Sequence, residues 1–486
     1  MGDGVSSLWN EDAAFLEYTE ERKRNWDTTS ERNANGNWGK YYRDWLVKIY
    51  QFCIPQGARV LEVGCGKGDL LAALQPASGM GVDFSAKMIA AARERHPDLT
   101  FVCADAQSLK MQETFDYIIL SDLLNDVWDV QELLVRLKPA CHGETRIICN
   151  FFSQLWKGPL NFVRGMGLAN KTLPQNWLTR EDMANLFYLA GYDVFRSWSE
   201  FLCPVNIPLL AGFFNKYLAK IWPFRLFDLA NFLIARPQSS VRAAWVQTPP
   251  TVSVLVPARN EAGNIETILK RIPEMGGGTE IIFVEGNSTD DTYETIERVI
   301  AASPRNCKLY KQPGKGKGDA VRMGFAKAEG DILMILDADI TVPPEDLPRF
   351  FDVIYSGQAE FANGVRLVYP MQKRAMRFFN LLGNKFFSAA FSWLLGQPLR
   401  DSLCGTKVLT KANYEHIVEN RSYFGDFDPF GDFDLLFGAA KLNLKIVDMP
   451  IRYRDRTYGD TNIQRWRHGW LLLQMVVYAA FKIKFV

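Results

Sequence analysis

The residues best suited to chemistry form two groups, each placed directly after an apolar run. In the first, VLEVGCGKG (60–68) sets Glu62, Gly64, Gly66 and Gly68 at the end of a predicted strand. Glycines there let the backbone approach a ligand closely and turn where a Cβ would block the path. Asp83 ends the next apolar run, where a carboxylate can accept hydrogen bonds from both hydroxyls of a ribose. Asp105, in CADAQ, ends the third and suits an adenine amino group. In the second group, DILMILDADI ends in Asp337 and Asp339, one residue apart. A strand period of two places both on one face. Hard oxygen ligands of this kind suit Mg²⁺ or Mn²⁺, which bridges a diphosphate and neutralises charge on a leaving group.

Neither motif is specific alone; their surroundings narrow the reading. Gly64-Cys65-Gly66-Lys67-Gly68-Asp69 partly matches the dinucleotide pattern GxGxxG. Position 69 is Asp, however, where close packing beside a pyrophosphate needs Gly or Ala. With Glu62, Asp83 and Asp105 after successive strands, S-adenosylmethionine is the better-fitting cofactor. Around the second motif lie VPARNEAGNI (256–265), VEGNSTDDT (284–292) and the basic, Gly-rich GKGKGDAVRMGFAKAEGD (314–331). Asn260-Glu261 could cap a helix and Lys315 and Lys317 could be solvated. In this order the pieces argue instead for a nucleotide-sugar site.

The elements that position these residues read as two α/β alternations. In the first, ARVLEV, GMGVDFS, LTFVCADA, FDYIILSD and TRIICNFF are strands, with AKMIAAARERHP and VQELLVRLKPA as helices between them. Such alternation predicts right-handed βαβ units and a parallel sheet. Thr179 caps a further helix that stops near Gly191, and LIARP (233–237) reads as a closing strand. PQSSVRAAWVQTPP (237–250) is the expected linker. The second alternation begins at TVSVLVPARNE and turns helical and aromatic beyond residue 365. The boundaries expected are a first domain over 1–236 and a second over 251–486.

The first motif set resembles class I S-adenosylmethionine-dependent methyltransferases, over roughly 1–236. The resemblance implies a Rossmann-like, seven-stranded sheet with the cofactor across Glu62 to Gly68, Asp83 and Asp105. It also implies substrate or cofactor contacts from the segment Ser121 to Asp126. Asp122 is the local candidate for a base, with helix capping as the structural alternative.

The second set resembles glycosyltransferase family 2 with its GT-A fold, over about 251–468, nearest to dolichyl-phosphate mannose synthases. That resemblance implies nucleotide contacts from Pro257, Arg259, Glu261, Glu285 and Lys317, with Asp337 and Asp339 holding metal and diphosphate. It implies an acceptor-phosphate clamp from Arg366, Arg377 and Arg456. Asp401, Asp432 and Asp434 fall on the acceptor side, and Asp432 or Asp434 is the expected base for a hydroxyl acceptor; a phosphate acceptor needs none. This chain departs from the family pattern at Glu285-Gly286, Thr341 and Asn462.

Bulk properties set the frame. At 486 residues the chain is long enough for two domains, and 48% hydrophobic with 23% charged residues is a globular composition. A net charge of +1 argues against nucleic acid as partner. Eight Cys without a CxxC pair read as reduced thiols. Without a basic-then-apolar leader or a run of ~18 uncharged apolar residues, the expected location is cytoplasmic. Arg452, Arg454, Arg456, Arg465, Arg467 and His468 precede the apolar 470–486, so peripheral contact with the inner membrane face is weighed against simple core packing. The combined expectation is a bifunctional enzyme that transfers a sugar to a glycan, lipid or polyprenyl-phosphate acceptor and methylates a related product. The alternative is a glycosyltransferase with a non-catalytic cofactor-binding module for regulation or docking.

Overall fold

The computed structural model describes residues 13–31, 37–109, 111–166, 172–238, 243–366, 368–369, 378–423, 431, 433–454, 456, 458 and 465–485. The chain divides into two compact units, 1–238 with 485–486, and 239–484.

The first unit is built on seven strands: β1 (Arg59–Val63), β2 (Ser78–Asp83), β3 (Thr100–Cys103), β4 (Phe115–Ser121), β5 (Cys141–Phe152), β6 (Tyr192–Glu200) and β7 (Ala230–Pro237). They lie in the order β3-β2-β1-β4-β5-β7-β6. The first five are parallel, while β7 runs antiparallel to both β5 and β6. The expected all-parallel sheet is thus corrected to a mixed one. The LIARP strand does not close the sheet at its edge but is inserted between two others. Both faces of the sheet are covered, so successive strand residues feed opposite cores. Leu61, Val63, Ile118 and Leu120 face one side; Val60, Ile119, Ile148 and Ile234 face the other with Tyr50 and Leu46. The helix Arg180–Leu189 begins as the sequence predicts, with Thr179 and Asp182 forming a reciprocal capping box.

The second unit also holds seven strands: β8 (Val252–Ala258), β9 (Thr279–Glu285), β10 (Cys307–Lys311), β11 (Ile332–Ile335), β12 (Phe361–Val365), β13 (Lys407–Thr410) and β14 (Ile446–Pro450). Their order is β10-β9-β8-β11-β13-β12-β14, with β13 antiparallel to both its neighbours. The region beyond residue 365 therefore supplies two strands as well as helices. The expected linker is partly structured: Trp245, on a short helix Ala243–Gln247, is buried in this unit's core and stacks on Tyr355 at 6.2 Å between centroids. Near the C-terminus, Leu472, Met475, Ala479 and Ile483 are buried while Trp470, Val477 and Phe481 are exposed. Among the described residues no helix is long and apolar enough to cross a membrane.

Candidate functional sites

In each sheet the strand order reverses once between two parallel neighbours, β1 and β4 in the first unit and β8 and β11 in the second. Connections leave such a point in opposite directions and open a crevice at the carboxyl ends of the strands, where open α/β sheets bind ligands. Glu62, Asp83, Ser121 and Asp337 lie at or just beyond the carboxyl ends of strands in these sheets.

In the first unit Glu62 lies one residue before the end of β1, buried, and accepts a hydrogen bond from the Leu71 amide at 3.1 Å. Burial pushes its carboxyl up to about 8, against that bond. Gly64, Gly66 and Gly68 all have positive φ, at 77°, 52° and 76°. At Gly66 a Cβ would point into open space, whereas at Gly68 it would meet the Phe101 ring at 2.6 Å. The loop thus combines left-handed turns with an open face, the cradle that a nucleoside cofactor requires. Asp83, at the end of β2, accepts from the Gly66 amide at 2.9 Å and the Ser85 amide at 2.9 Å, so it fixes the glycine loop itself. Burial raises its carboxyl from the usual range. Asp105 follows β3 and accepts from the Gln107 amide at 2.7 Å, capping a short turn.

Ser121 ends β4, and Asp122 next to it has a left-handed φ of 52°. Helix capping does not explain Asp122. The helix that follows, Val130–Arg136, is capped by Asp129. Asp122 instead accepts hydrogen bonds from the Tyr42 hydroxyl at 3.0 Å and the Asn150 amide at 2.5 Å. Asn150 in turn accepts from Tyr50 at 2.7 Å. Enclosure pushes Asp122 up to about 7, opposed by those two donors. Sequence reasoning missed Tyr42, Tyr50 and Asn150. Asn150 had a usable signal, a lone amide inside the apolar run RIICNFF; the tyrosines sit in a helix with no local motif. Asp27, from the helix Ala13–Glu31, also reaches this edge and accepts a hydrogen bond from Ser85.

In the second unit β11 ends at Ile335, so Asp337 and Asp339 stand in the turn beyond it and strand alternation does not orient them. The expectation that strand periodicity sets them on one face is thereby corrected. Asp337 forms an ion pair with Lys317 at 2.6 Å, and Asp339 one with Arg456 at 2.9 Å. Burial opposes charge on Asp337, but Lys317 outweighs it and holds the carboxyl below its usual range. Arg456 also reaches Glu261 at 3.1 Å, and Glu261 accepts from Asn264 at 2.7 Å. Burial raises Glu261 against the pull of Arg456. Thr341 donates to Asp339 at 2.7 Å. Between them Ile340 has a φ of 56°, an unfavourable value for a β-branched residue and a mark of local strain. A cleft of about 320 Å³ lies alongside, with Asn264, Ile340 and Arg454 in its walls.

Gly405 is a further residue that the sequence reading missed. A Cβ there would overlap Asp337 Oδ2 and Lys317 Nζ, so the DSLCGTK loop closes directly over the ion pair. Pro257 lies in β8 and Arg259 just beyond it is exposed. Glu285 is buried at the end of β9 and accepts from the Ser288 amide at 2.5 Å. With that oxygen it holds its own loop.

Several acceptor-side candidates are already paired with one another or with other residues. Asp401 is fully buried and accepts from Arg366 Nε at 2.6 Å, Arg366 Nη2 at 2.8 Å, the Arg366 amide at 3.1 Å and the Leu403 amide at 3.0 Å. A fully buried carboxylate held by four donors is poorly placed to act as a base, and Arg366 is engaged with it. Asp434, in the first turn of the helix Phe433–Lys441, is paired with Arg421 at 2.9 Å. Asp432, Arg377 and Asn462 lie outside the described residues. Among the described residues no cluster of three or more His, Cys, Asp or Glu is arranged to hold a metal. Asp337 and Asp339 stand in one turn, each bearing a hard carboxylate oxygen donor of the kind a divalent cation takes.

Residues 253–409 match the model of glycosyl transferase family 2, and residues 60–141 match a methyltransferase domain. The chain carries both. The first match contains Glu261, Lys317, Asp337, Asp339 and Gly405; the second contains Glu62, the glycine loop, Asp83 and Asp122. Glycosyltransferase AglJ of Haloferax volcanii is 28% identical over 227 residues, 46% of this chain and 70% of that protein. A dolichol-phosphate mannosyltransferase of Pyrococcus furiosus is 27% identical over 220 residues, 44% of this chain and 59% of that protein. This chain spans less than two thirds of several such relatives. A glucosyl-3-phosphoglycerate synthase of Mycobacterium tuberculosis, solved with Mn²⁺ and UDP, aligns with 50% of this chain and 82% of its own at 19% identity and a TM-score of 0.36. At that score the likeness bears on neither substrate nor mechanism. The architecture is two α/β domains, a methyltransferase-like sheet followed by a GT-A-like sheet.

Proposed function

We propose that the chain is a bifunctional transferase. Its second unit moves a sugar, with inversion, from a nucleotide-sugar donor to a lipid-linked acceptor. Its first unit methylates a related product from S-adenosylmethionine. The observation that carries the first activity is the linked set Lys317–Asp337 and Asp339–Arg456–Glu261, gathered at the β8/β11 switch point. A divalent cation held by Asp337 and Asp339 would neutralise charge on the departing diphosphate. Lys317 lies within reach of the same phosphates, and Arg456 holds Asp339 and Glu261 in register across the crevice. Asp401 and Asp434 each already hold an arginine, which favours an acceptor whose attacking oxygen is ionised from the outset. A polyprenyl phosphate is such an acceptor, and a dolichol-phosphate transferase among the relatives supports the choice.

For the methyl acceptor, Asp122 stands at the crevice with a carboxyl raised to about 7, suited to accept a proton near neutrality. Its bonds to Tyr42 and Asn150 orient it, which favours catalysis over a purely docking module.

Thermal melts with a panel of nucleotide sugars and Mn²⁺ test the transferase reading. The true donor stabilises the native state by mass action, and the shift must require Mn²⁺. A panel in which no nucleotide sugar raises the melting temperature refutes it. For the first unit, calorimetric binding of S-adenosylmethionine should be lost on replacing Gly66 by a bulky residue; equal affinity in the variant refutes the assigned cradle.

A further inference from the structure

We propose that the first unit docks on an anionic lipid surface through a face formed by residues 154–166 and 207–227. This rests on the surface alone and stands whether or not either transfer reaction is as proposed above. The two segments are neighbours: the Trp156 indole donates to the Phe227 carbonyl at 2.8 Å, and the Ser153 amide donates to the Leu229 carbonyl at 2.8 Å. They leave the carboxyl end of β5 and enter the start of β7, so they flank the edge that bears Ser121 and Asp122.

Many of their large apolar side chains point outward. The helix Lys157–Gly165 buries none of its residues, and neither does the turn Phe224–Phe227. Leu209 is 92% exposed, Trp222 70% and Phe162 68%, with Leu155, Phe213 and Phe227 also exposed. An exposed apolar group of this extent on a folded domain marks an interaction surface. Fraying does not account for it, because the underside is anchored. Asn215 is buried and bonds to the Cys203 amide at 2.7 Å, the Cys203 carbonyl at 2.9 Å and the Tyr41 hydroxyl at 3.1 Å. Lys220 and Glu200 form a buried ion pair beneath the same segment. Leu209 is held at a φ of 65°, a left-handed conformation costly for leucine, with its side chain almost wholly in solvent.

Charge selects the occupant. No Asp or Glu occurs from Thr145 to Arg180 or from Phe201 to Phe227, while Lys157, Arg164, Lys216 and Arg225 lie among the apolar positions. Exposed Trp, Phe and Leu interspersed with Lys and Arg, and free of acid, is the composition of an interfacial membrane surface. Each basic residue adds attraction to anionic headgroups. A protein partner would not require acid to be absent from both segments.

The test is co-sedimentation of the full chain with vesicles of phosphatidylcholine containing about 30% phosphatidylglycerol, against pure phosphatidylcholine. The variant is Leu209→Asn, Phe162→Ser and Phe227→Ser together, which removes apolar surface without touching a core residue. Wild type should bind the anionic vesicles, more weakly at high salt. The triple variant should lose at least about tenfold in partitioning, with melting temperature and S-adenosylmethionine affinity retained. Three results overturn the proposal: no binding of wild type to anionic vesicles, equal binding by the folded triple variant, or binding lost only in Trp470→Ser on the second unit. Sedimentation velocity without lipid guards the remaining case. A wild-type dimer that the triple variant abolishes would assign the face to a second copy instead.

Discussion

Asp401→Asn separates structure from catalysis in the second unit. The Asp401 carboxylate is fully buried and accepts four hydrogen bonds, three of them from Arg366. Burial works against its charge, yet Arg366 outweighs burial and holds the carboxyl below its usual range. Removing the charge leaves a guanidinium enclosed without its counterion, and breaking a buried pair from one side costs about 3–5 kcal/mol. For a unit of this size each kcal/mol lowers the melting temperature by about 2–4 °C, so the second unit should melt roughly 6–20 °C lower. The sign with pH follows from the depressed value. The stabilisation is present above the unfolded pKa of about 3.9 and is lost as pH falls through the lower folded value, so Asp401→Asn should flatten the acid side of the stability curve. Calorimetry resolves the second unit's transition, and sugar transfer is assayed well below it. Turnover should then be kept within about tenfold, because Asp401 acts through Arg366 and its loop rather than on a proton. Transfer abolished with the melting temperature unchanged would refute this and restore Asp401 as a base.

Gly405→Ala should place a methyl group against the Asp337–Lys317 pair and weaken nucleotide-sugar binding at least about tenfold, read as loss of the donor-induced melting shift; an unchanged shift refutes the closed-loop geometry. Tyr42→Phe removes a donor that helps hold the Asp122 carboxyl down at about 7 against burial, so the acid limb of the methyl-transfer pH profile should move alkaline by about half to one unit, and an unmoved limb rules out Asp122 as the base. Asp228, buried with neither carboxylate oxygen bonded among the described residues, is pushed up to about 8 by burial. Its folded value lies above the unfolded one, so stability should fall as pH rises from about 4 to about 8, by at most about 6 kcal/mol. Asp228→Asn should remove that slope, and a slope that persists in thermal melts refutes the assignment.

The cofactor ends of both sheets were legible because the signal is local. Glu62 with its glycines, and Asp337 with Asp339, sit within a few residues of a strand end, and an apolar run followed by Gly or Asp announces such a position. The later strands were not legible for the complementary reason. β13 has four residues and lies antiparallel between β11 and β12, more than 40 residues downstream of the latter. Nothing in KVLT distinguishes a central strand from the end of a loop, since tertiary packing decides such short apolar runs. The antiparallel placement of β7 is hidden in the same way, because LIARP reads identically in either direction of pairing.

The acceptor-side residues show a different limit. Arg366 and Asp401 are separated by 34 residues, and sequence offered each a solitary chemical role: phosphate clamp for one, acid–base work for the other. Together they neutralise one another, and the pair reads as scaffold for the DSLCGTK loop. That loop delivers Gly405 onto Asp337 and Lys317, so the charge buried at Asp401 is connected to that ion pair through five residues of backbone. Asp122 is the reverse case. By type and position it could have been a helix cap, but with Asp129 capping the helix and Tyr42 and Asn150 aimed at Asp122, the carboxylate is committed to the crevice. Residue type thus located the charges, while the partner each charge keeps in the fold separates the groups able to exchange a proton or meet a phosphate from those that hold the walls.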